Sequence, residues 1–228
     1  HSQLPMTLAM VDGVMKGQFI LGQNPVVGAA NSDLVERGLS RLDWLVVRDF
    51  AMTETANFWQ KGRLVQRGEL RPAEIGTEVF FLPSSMAAEK EGSITNTTRL
   101  VQWHDKVCDA PGDSRSDLWF IYHLGRRLKE LYADSIEPRD APIRDLTWTY
   151  PVRGAQAEPE AEAVLREING YTVADRKLLG SFQQLKDDGS TACGGWMYTG
   201  VYPADGHNRT RSRRPDGCAG GRSSSSCR

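Results

Sequence analysis

Two short polar stretches, each placed just after an apolar run, are the residues best suited to hold a ligand. Gly22-Gln23-Asn24-Pro25 follows the first run, and Asp49 follows the second. A glycine lets the backbone approach a ligand closely, and the two amides both donate and accept hydrogen bonds. A carboxylate after a strand can bind a ribose diol or accept two hydrogen bonds from a guanine edge. These residue types predict a nucleotide site.

Two threonines extend the predicted site. Thr53 and Thr55 come shortly after Asp49, where Thr53 is predicted to cap a short helix that carries Phe58 and Trp59. Hydroxyls and free backbone N–H groups at a helix start suit a phosphate. Ordinary turn and capping chemistry explains the same residues about equally well. The sequence has neither G-x-G-x-x-G nor a P-loop, so the familiar phosphate-binding motifs do not decide between the two interpretations.

The sequence offers no catalytic residues and no metal ligands that we can assign. No nucleophile–base or acid–base pair stands out at a spacing that would place the two groups together. The four cysteines contain no C-x-x-C pair, so we expect free or buried thiols rather than a zinc or iron–sulfur site. They are Cys108, Cys193, Cys218 and Cys227.

Apolar patterning in the first hundred residues predicts the elements that would position this site. Residues 18–22, 44–47 and 78–82 are short continuous apolar runs, which are typical of strands buried on both faces. Between the first two, Val35, Leu39 and Leu42 form one helical stripe. Strand–helix–strand–helix–strand is the pattern of a parallel sheet, and ligands bind at the carboxyl ends of such strands. We therefore predict an α/β fold with a Rossmann-like, parallel-sheet core.

The rest of the chain is less regular. A helix is predicted over 116–133 with Ser116 as its cap, followed by a Pro- and acid-rich surface connection over 134–160. A short helix from Ala161 should end at Asn169-Gly170, and residues 196–202 are read as a strand.

These elements define three predicted regions. Residues 13–105 form the cofactor-binding core, 106–206 a helical and irregular extension, and 207–228 a disordered tail rich in Arg, Gly and Ser. The formal net charge of −1 gives no reason to expect nucleic acid or an anionic membrane surface as a partner. No apolar run approaches the length of a membrane span, so the mature chain is expected to be soluble, or its true start is missing.

Seven segments, in the same order, resemble the large subunit of respiratory-type formate dehydrogenases. Together they cover about residues 13 to 206. The segments are Lys16–Pro25, Leu45–Trp59, Thr77–Pro83, Glu91–Asn96, Arg99–His104, Asn169–Tyr171 and Asp187–Cys193.

The resemblance implies a member of the molybdopterin oxidoreductase superfamily. Such enzymes oxidise formate to carbon dioxide at a molybdenum or tungsten centre held by two molybdopterin guanine dinucleotides, and a [4Fe–4S] cluster removes the electrons. The implied partners are the remaining parts of the same subunit, an iron–sulfur electron-transfer subunit, and a membrane cytochrome subunit. The resemblance does not identify the compartment: it implies a parent enzyme associated with the membrane, on either the periplasmic (extracytoplasmic) or the cytoplasmic face. Gly22 to Pro25, Asp49, and Thr53 to Thr55 match the part that grips the guanosine end of one cofactor.

The chain also departs from the pattern of the family. The cysteine quartet of the cluster, the metal-ligating Cys or selenocysteine with its neighbouring His, and the C-terminal cofactor domain are absent from this sequence. We therefore predict a piece of the subunit that is inactive alone. Two alternatives are a non-catalytic module that binds a guanine nucleotide or the pterin cofactor, and a gene remnant whose tail from His207 arises from a frameshift.

Overall fold

The computed structural model describes residues 2–203 and 207–211, and the chain forms two compact units. Unit 1 comprises residues 1–90 and 108–146, and unit 2 comprises residues 91–107 and 147–228. The predicted boundary at residue 105 does not coincide with this division. Residues 91–107 belong to the second unit, and much of the predicted extension returns to the first.

Unit 1 is built on a three-stranded parallel sheet in the order β1-β2-β3. The strands are β1 (Gly17–Leu21), β2 (Trp44–Asp49) and β3 (Glu78–Pro83). The register places Phe19 beside Val46 and Val46 beside Phe80. All three predicted strands and the α/β class are thus confirmed.

Seven helices accompany the sheet in the described part of unit 1, and two of them begin at a side-chain cap, of which the sequence predicts the one at Ser116. Asn31 accepts a hydrogen bond from the Leu34 N–H at the start of α3, and Ser116 accepts one from the Trp119 N–H at the start of α6. The helices are α1 (Gln3–Val11), α2 (Pro25–Gly28), α3 (Ser32–Leu39), α4 (Phe58–Lys61), α5 (Arg63–Gln66), α6 (Asp117–Leu131) and α7 (Ala141–Arg144). Three 3₁₀ turns cover Pro72–Glu74, Ala87–Glu89 and Pro138–Asp140.

The two faces of the sheet are covered to different extents. One face presents Ile20, Leu45 and Val47 to the main core, where α3 contributes Val35 and Leu39. Burial of large aliphatic side chains supplies most of the stability of such a layer, about 1.5–3 kcal/mol for each. The other face carries apolar side chains that remain largely exposed, so the expectation of two fully covered faces holds for one face only. They include Phe19, 46% exposed, and Phe80, 42% exposed.

Unit 2 consists of short hairpins around one helix, α8 (Ala161–Ile168). Its strands pair antiparallel as β4 (Gly92–Thr95) with β5 (Val101–His104), β6 (Val152–Arg153) with β7 (Glu158–Pro159), and β8 (Tyr171–Thr172) with β9 (Thr191–Ala192). The small core joins Leu165 to Val201 and Tyr202. The predicted helix from Ala161 is confirmed, and it ends at Asn169 as expected.

Two further expectations in unit 2 differ from the structure. Residues 196–202 were predicted as a strand, but Trp196–Tyr198 forms a 3₁₀ turn and Gly200 has a left-handed φ of 93°. The flanking glycines favour turns over an extended run. Residues 207–211, assigned to the disordered tail, are packed: the Trp103 N–H donates to the Thr210 carbonyl. The remainder of the predicted tail, residues 212–228, lies outside the described residues, as do Cys218 and Cys227.

Candidate functional site

The loops that follow the three strands of unit 1 begin side by side. The Gly22 N–H donates to the Arg48 carbonyl at 2.8 Å, and the Ser84 N–H donates to the Asp49 carbonyl at 3.0 Å. Backbone pairing therefore continues one residue beyond β1 and beyond β3. Parallel strands end at the same rim, so the residues predicted from the first and second strand ends share one edge of the sheet.

Gly22 turns the chain sharply away from β1. Its φ is +60°, in the left-handed region that glycine adopts without a steric penalty, and no atom lies within 4 Å of the position that a Cβ would take. Gln23 follows with an exposed side chain. The turn therefore leaves an open approach to the backbone beside a free carboxamide.

Asn24 and Thr55 bind each other rather than facing solvent. The Asn24 carboxamide oxygen accepts hydrogen bonds from the Thr55 hydroxyl at 2.7 Å and from the Thr55 N–H at 3.2 Å. The Thr55 hydroxyl also accepts from the Val26 N–H at 3.1 Å, one residue after Pro25 opens α2. This network joins the loop after β1 to the loop after β2.

The Asn24 amide nitrogen completes the network by donating to Glu54 at 2.6 Å. Hydrogen bonds from the backbone N–H of Glu54 and from Asn24 hold the pKa of the Glu54 carboxyl below its usual range, because both stabilise the ionised form. Every polar atom of the Asn24 side chain is thus engaged within the protein.

Asp49 is buried at the end of β2, yet half of its carboxylate has no partner. Its Oδ1 accepts a hydrogen bond from the Phe50 N–H at 2.8 Å. Among the described residues no hydrogen bond reaches Oδ2. The Phe50 N–H holds Oδ1 in place and thereby sets the direction in which Oδ2 points.

Thr53 does not cap a helix, contrary to the prediction. The nearest helix, α4, begins only at Phe58, and its N-cap position is Asn57. Turns fill residues 54–57, because the Asn24 network ties Thr55 to the opposite loop before a helix can begin. The Thr53 hydroxyl is buried and makes no hydrogen bond within the part of the chain that the structure describes. An unpaired buried hydroxyl is costly and calls for a partner.

Sequence reasoning missed two apolar residues at this rim. Phe50 and Met52, on the loop directly after Asp49, are 67% and 59% exposed. The sequence does show two large apolar side chains just after a strand. They point to a ligand surface only once the structure shows that they are exposed.

A cavity of about 490 Å³ runs beside β1 and reaches part of the predicted site. It is lined by residues of α1, by residues 18–21, and by Gln23 and Pro25. Asp49 does not line it. The structure therefore brings Gln23 and Pro25 to this cavity and Asp49 to the rim beside it.

A buried arginine on β2 holds the segment that leads into α6 in place. Arg48 is 2% exposed, and its guanidinium donates to the Arg115 carbonyl at 2.8 Å and to the Ser116 carbonyl at 3.2 Å. It also lies 4.5 Å from the centre of the Phe120 ring. These contacts attach the start of α6 to β2.

Asp117, in the first turn of α6, adds an ionic contact to this attachment. Burial raises the pKa of the Asp117 carboxyl, but the hydrogen bond and charge of Lys90, the Ser84 hydroxyl and the charge of Arg48 outweigh it and leave the pKa lowered. Lys90 lies 2.9 Å from Asp117, and Ser84 lies 3.0 Å from it. The carboxylate thus stays ionised and bridges three segments of unit 1.

Among the described residues, no helix is both long and apolar enough to cross a membrane. In the same residues, His, Cys, Asp and Glu side chains form no group of three or more that could hold a metal ion.

Comparison with known proteins gives one consistent result. Residues 80–127 match the family model described as molybdopterin oxidoreductase. The nitrate-inducible formate dehydrogenase major subunit of Escherichia coli K12 is 36% identical over 219 residues, and the formate dehydrogenase-O major subunit of the same organism is 37% identical over 221 residues. Each alignment covers 91% of this chain but only 21% of the relative.

A third relative comes from another organism. Formate dehydrogenase 2 subunit alpha (cytochrome c-553) of Nitratidesulfovibrio vulgaris is 35% identical over 214 residues, which cover 90% of this chain and 20% of the relative. The chain thus spans about a fifth of the length of the curated relatives it matches. The resemblance inferred from the seven sequence segments is confirmed.

Proposed function

We propose that this chain, which is homologous over nine tenths of its length to major subunits of formate dehydrogenases, binds the guanosine end of a molybdopterin guanine dinucleotide in an enzyme that oxidises formate to carbon dioxide. The binding site is the rim at the carboxyl ends of β1 and β2. The observation that carries the proposal is that the segment after β2 holds both a fixed carboxylate, Asp49, and a buried hydroxyl, Thr53, which has no hydrogen-bond partner among the described residues.

The donors and acceptors at this rim fit a guanosine. A guanine edge presents adjacent N–H donors, and the Asp49 Oδ2, which has no partner among the described residues, could accept from them. The Thr53 hydroxyl and the Gln23 carboxamide can bond ribose or phosphate oxygens, and Gly22 leaves room for the ligand to meet the backbone. The exposed ring of Phe50 offers an apolar surface for a flat base.

Asn24, Pro25 and Thr55 hold the site in shape in this proposal. Asn24 and Thr55 use their polar atoms on each other and on Val26, and Pro25 starts α2 at the end of the turn. They would fix the distance between the Gly22 turn and the Asp49 loop. A bound ligand would then meet a preformed surface rather than order a loose one.

The finer features of the assembly belong to the same proposal. The sheet would be the first half of a Rossmann-like domain, since its order matches one mononucleotide-binding half of that fold. The cofactor would be the bis-molybdopterin guanine dinucleotide with molybdenum or tungsten, which supplies the redox chemistry when bound. Other parts of the subunit, with their [4Fe–4S] cluster, an iron–sulfur subunit and a membrane cytochrome subunit would be partners.

Calorimetric titration of the chain with GMP tests the proposed site. We expect saturable binding that Asp49→Asn weakens about tenfold, because it replaces an acceptor by a mixed donor and acceptor beside the guanine donors. Asp43→Asn, at an exposed aspartate just before β2, is the matched control and should bind as the wild type does. Equal affinity for the two variants, with circular dichroism showing both folded, would remove Asp49 from the site.

A second measurement separates the parent-enzyme proposal from a stand-alone binding module. The purified chain should not reduce a dye acceptor with formate, since the sequence holds no catalytic residues that we can assign. The parent subunit carrying Asp49→Asn should lose cofactor during purification, measured as released guanine nucleotide. If that subunit keeps its cofactor while the isolated chain binds GMP, the module interpretation is favoured.

A further inference from the structure

Unit 2 carries an exposed aromatic pair beside an arginine. Phe182 and Trp196 are 53% and 46% exposed, and their ring centres lie 5.7 Å apart at 69°. The Arg99 guanidinium lies 5.3 Å from the centre of the Trp196 ring. Among the described residues no Asp or Glu forms an ion pair with Arg99. We call these three residues the aromatic platform.

The backbone around Arg99 is held in an unfavourable conformation. Arg99 has a φ of +65°, which a residue with a side chain adopts only at a cost of about 1–2 kcal/mol. The Asn96 side-chain oxygen stabilises the turn by accepting from the N–H groups of Thr98 and Leu100 and from the Thr98 hydroxyl. This turn projects Arg99 from the tip of the β4–β5 hairpin.

A separate contact fixes the hairpin against the turn that carries Trp196. The Thr95 hydroxyl lies 3.2 Å from the Tyr198 hydroxyl, within the same 3₁₀ turn as Trp196. Gly194 packs so closely on α8 that a Cβ there would lie 2.7 Å from the Cβ of Ile168. The position of Trp196 is therefore set by backbone packing rather than by burial of its own ring.

Phe182 is braced in the same manner. It opens a 3₁₀ turn (Phe182–Gln184) that Ser181 caps. The Gln184 side chain accepts hydrogen bonds from the N–H groups of Gly180 and Ser181, at 2.8 and 3.2 Å. These bonds hold the half-exposed Phe182 ring at a fixed place on the surface of unit 2.

We infer that the aromatic platform binds a heteroaromatic ring that carries a phosphate, such as a purine nucleotide, independently of the site proposed at Asp49. The flat ring would stack on Trp196 with its edge against Phe182, and stacking of a base on an aromatic side chain contributes about 1–3 kcal/mol. Arg99 would pair with the phosphate, since guanidinium groups bind phosphate through two parallel hydrogen bonds. A ring without a phosphate would stack on Trp196 but would form no ion pair with Arg99.

The test is ¹⁹F NMR of the 228-residue chain grown with 5-fluorotryptophan. The six tryptophans give six resonances, and Trp196→Phe assigns the one of interest. Titration with GMP should shift the Trp196 resonance with saturation, while guanosine and ribose 5-phosphate should each bind about tenfold more weakly, because each lacks one half of the recognised group. Arg99→Gln should weaken GMP about tenfold.

Arg176→Gln is the matched control. Arg176 also has a left-handed φ, +58°, and lies 4.2 Å from the centre of the Tyr171 ring. The Arg176→Gln substitution should leave the GMP-dependent shift of the Trp196 resonance unchanged. All titrations are repeated in the Asp49→Asn variant, which separates the two sites. A Trp196 shift that persists in this variant supports the aromatic platform, whether or not GMP binds at Asp49. An unmoved Trp196 resonance at millimolar GMP, or equal shifts in Arg99→Gln and Arg176→Gln, would overturn the inference.

Discussion

The Thr55 hydroxyl donates to the Asn24 side-chain oxygen across 2.7 Å, between two loops that follow neighbouring strands. The pairing of β1 with β2 ends where Gly22 bonds Arg48, and this contact joins the two segments again two residues after Gly22 and seven residues after Arg48. Because Asn24 also binds the Thr55 N–H, the relative position of the two loops is set by side-chain and backbone atoms together.

Replacement of Thr55 by valine should therefore destabilise unit 1. The change keeps the shape of the side chain but removes the donor to Asn24 and the acceptor for the Val26 N–H, both in a buried environment. We expect a loss of about 2 kcal/mol in the free energy of unfolding, measured by urea denaturation.

Thr53→Val is the matched control for that measurement. The Thr53 hydroxyl forms no hydrogen bond with the described residues, so its removal should change the free energy of unfolding by less than about 0.5 kcal/mol or increase it. The same variant should bind GMP more weakly than the wild type. Equal destabilisation by the two substitutions would show that the Asn24 contact has no special role.

The sequence predicted the sheet well because its signals are local. Each strand is a continuous apolar run, and each run ends at a residue that strands disfavour, such as Pro83 at the end of β3. The cap at Ser116 is a local signal too, since the capping hydroxyl and the Trp119 N–H that donates to it lie three residues apart.

The organisation of the candidate site could be predicted only in part. Gly22 and Asp49 follow neighbouring strands, and the Gly22 N–H bonds the carbonyl of Arg48, the residue before Asp49. That the two residues bind one ligand stays a prediction. The roles of Asn24 and Thr55 depend on a contact between residues 31 positions apart, and no periodicity reports such a contact. The prediction that Thr53 caps a helix was wrong for the same reason. The bond of Thr55 to Asn24 competes with helix formation, and it joins residues too far apart in the sequence for a local pattern to reveal it.

Glu36 shows the same limit and supplies a second prediction. In the sequence it is a polar position on α3, yet it is fully buried and its carboxylate accepts from the N–H groups of Arg63 and Leu64, both at 2.9 Å. It thus caps α5 from another helix. Glu36→Gln should lower the free energy of unfolding by about 2 kcal/mol, because charge-assisted bonds to two helix N–H groups are weakened.

Chemical denaturation compares that variant with Glu74→Gln. Glu74 forms an exposed pair with Arg71 at 3.3 Å, and exposed pairs contribute about 0–1 kcal/mol. The control should therefore unfold close to the wild-type midpoint. A Glu36→Gln midpoint that matches the control would mean that a neutral carboxamide serves the two N–H groups at the start of α5 as well as the carboxylate does.

Asn169 is the corresponding buried centre of unit 2. Its amide nitrogen donates to the Gly170 carbonyl at 2.8 Å, and its oxygen accepts from the N–H groups of Gly200 and Tyr202, both at 3.0 Å. Asn169→Ala would leave these buried groups unpaired, and we expect a loss of about 3 kcal/mol or more in the free energy of unfolding. Hydrogen exchange should show faster exchange at the Gly200 and Tyr202 amides.

Asn96→Ala is the appropriate comparison, because the Asn96 side chain accepts three hydrogen bonds but does so in an exposed turn. Water can replace those bonds, so the free energy of unfolding should change by only about 1 kcal/mol. A larger effect at Asn96 than at Asn169 would reverse the assigned importance of the two side chains.

Alkaline pH should destabilise unit 2 through Tyr202. Burial raises the pKa of the Tyr202 hydroxyl to about 12, and the negative charge of Glu162 adds to the effect while Arg166 and Arg211 oppose it. The side chain is fully buried beside Leu165 and Val201. In an unfolded chain the hydroxyl ionises near pH 10, so the unfolded state gains stability before the folded state can lose its proton.

The sign and size of the effect follow from that difference. Below pH 10 both states are neutral at this position and the contribution of Tyr202 is constant; between about pH 10 and pH 12 it is progressively lost, by up to about 3 kcal/mol. Urea denaturation between pH 7 and pH 12 should show that wild type and Tyr202→Phe run parallel up to about pH 9. Above that, the wild type should lose stability faster, because only its unfolded state ionises at this position. Curves that stay parallel to pH 12 would mean that the Tyr202 hydroxyl reaches water in the folded chain.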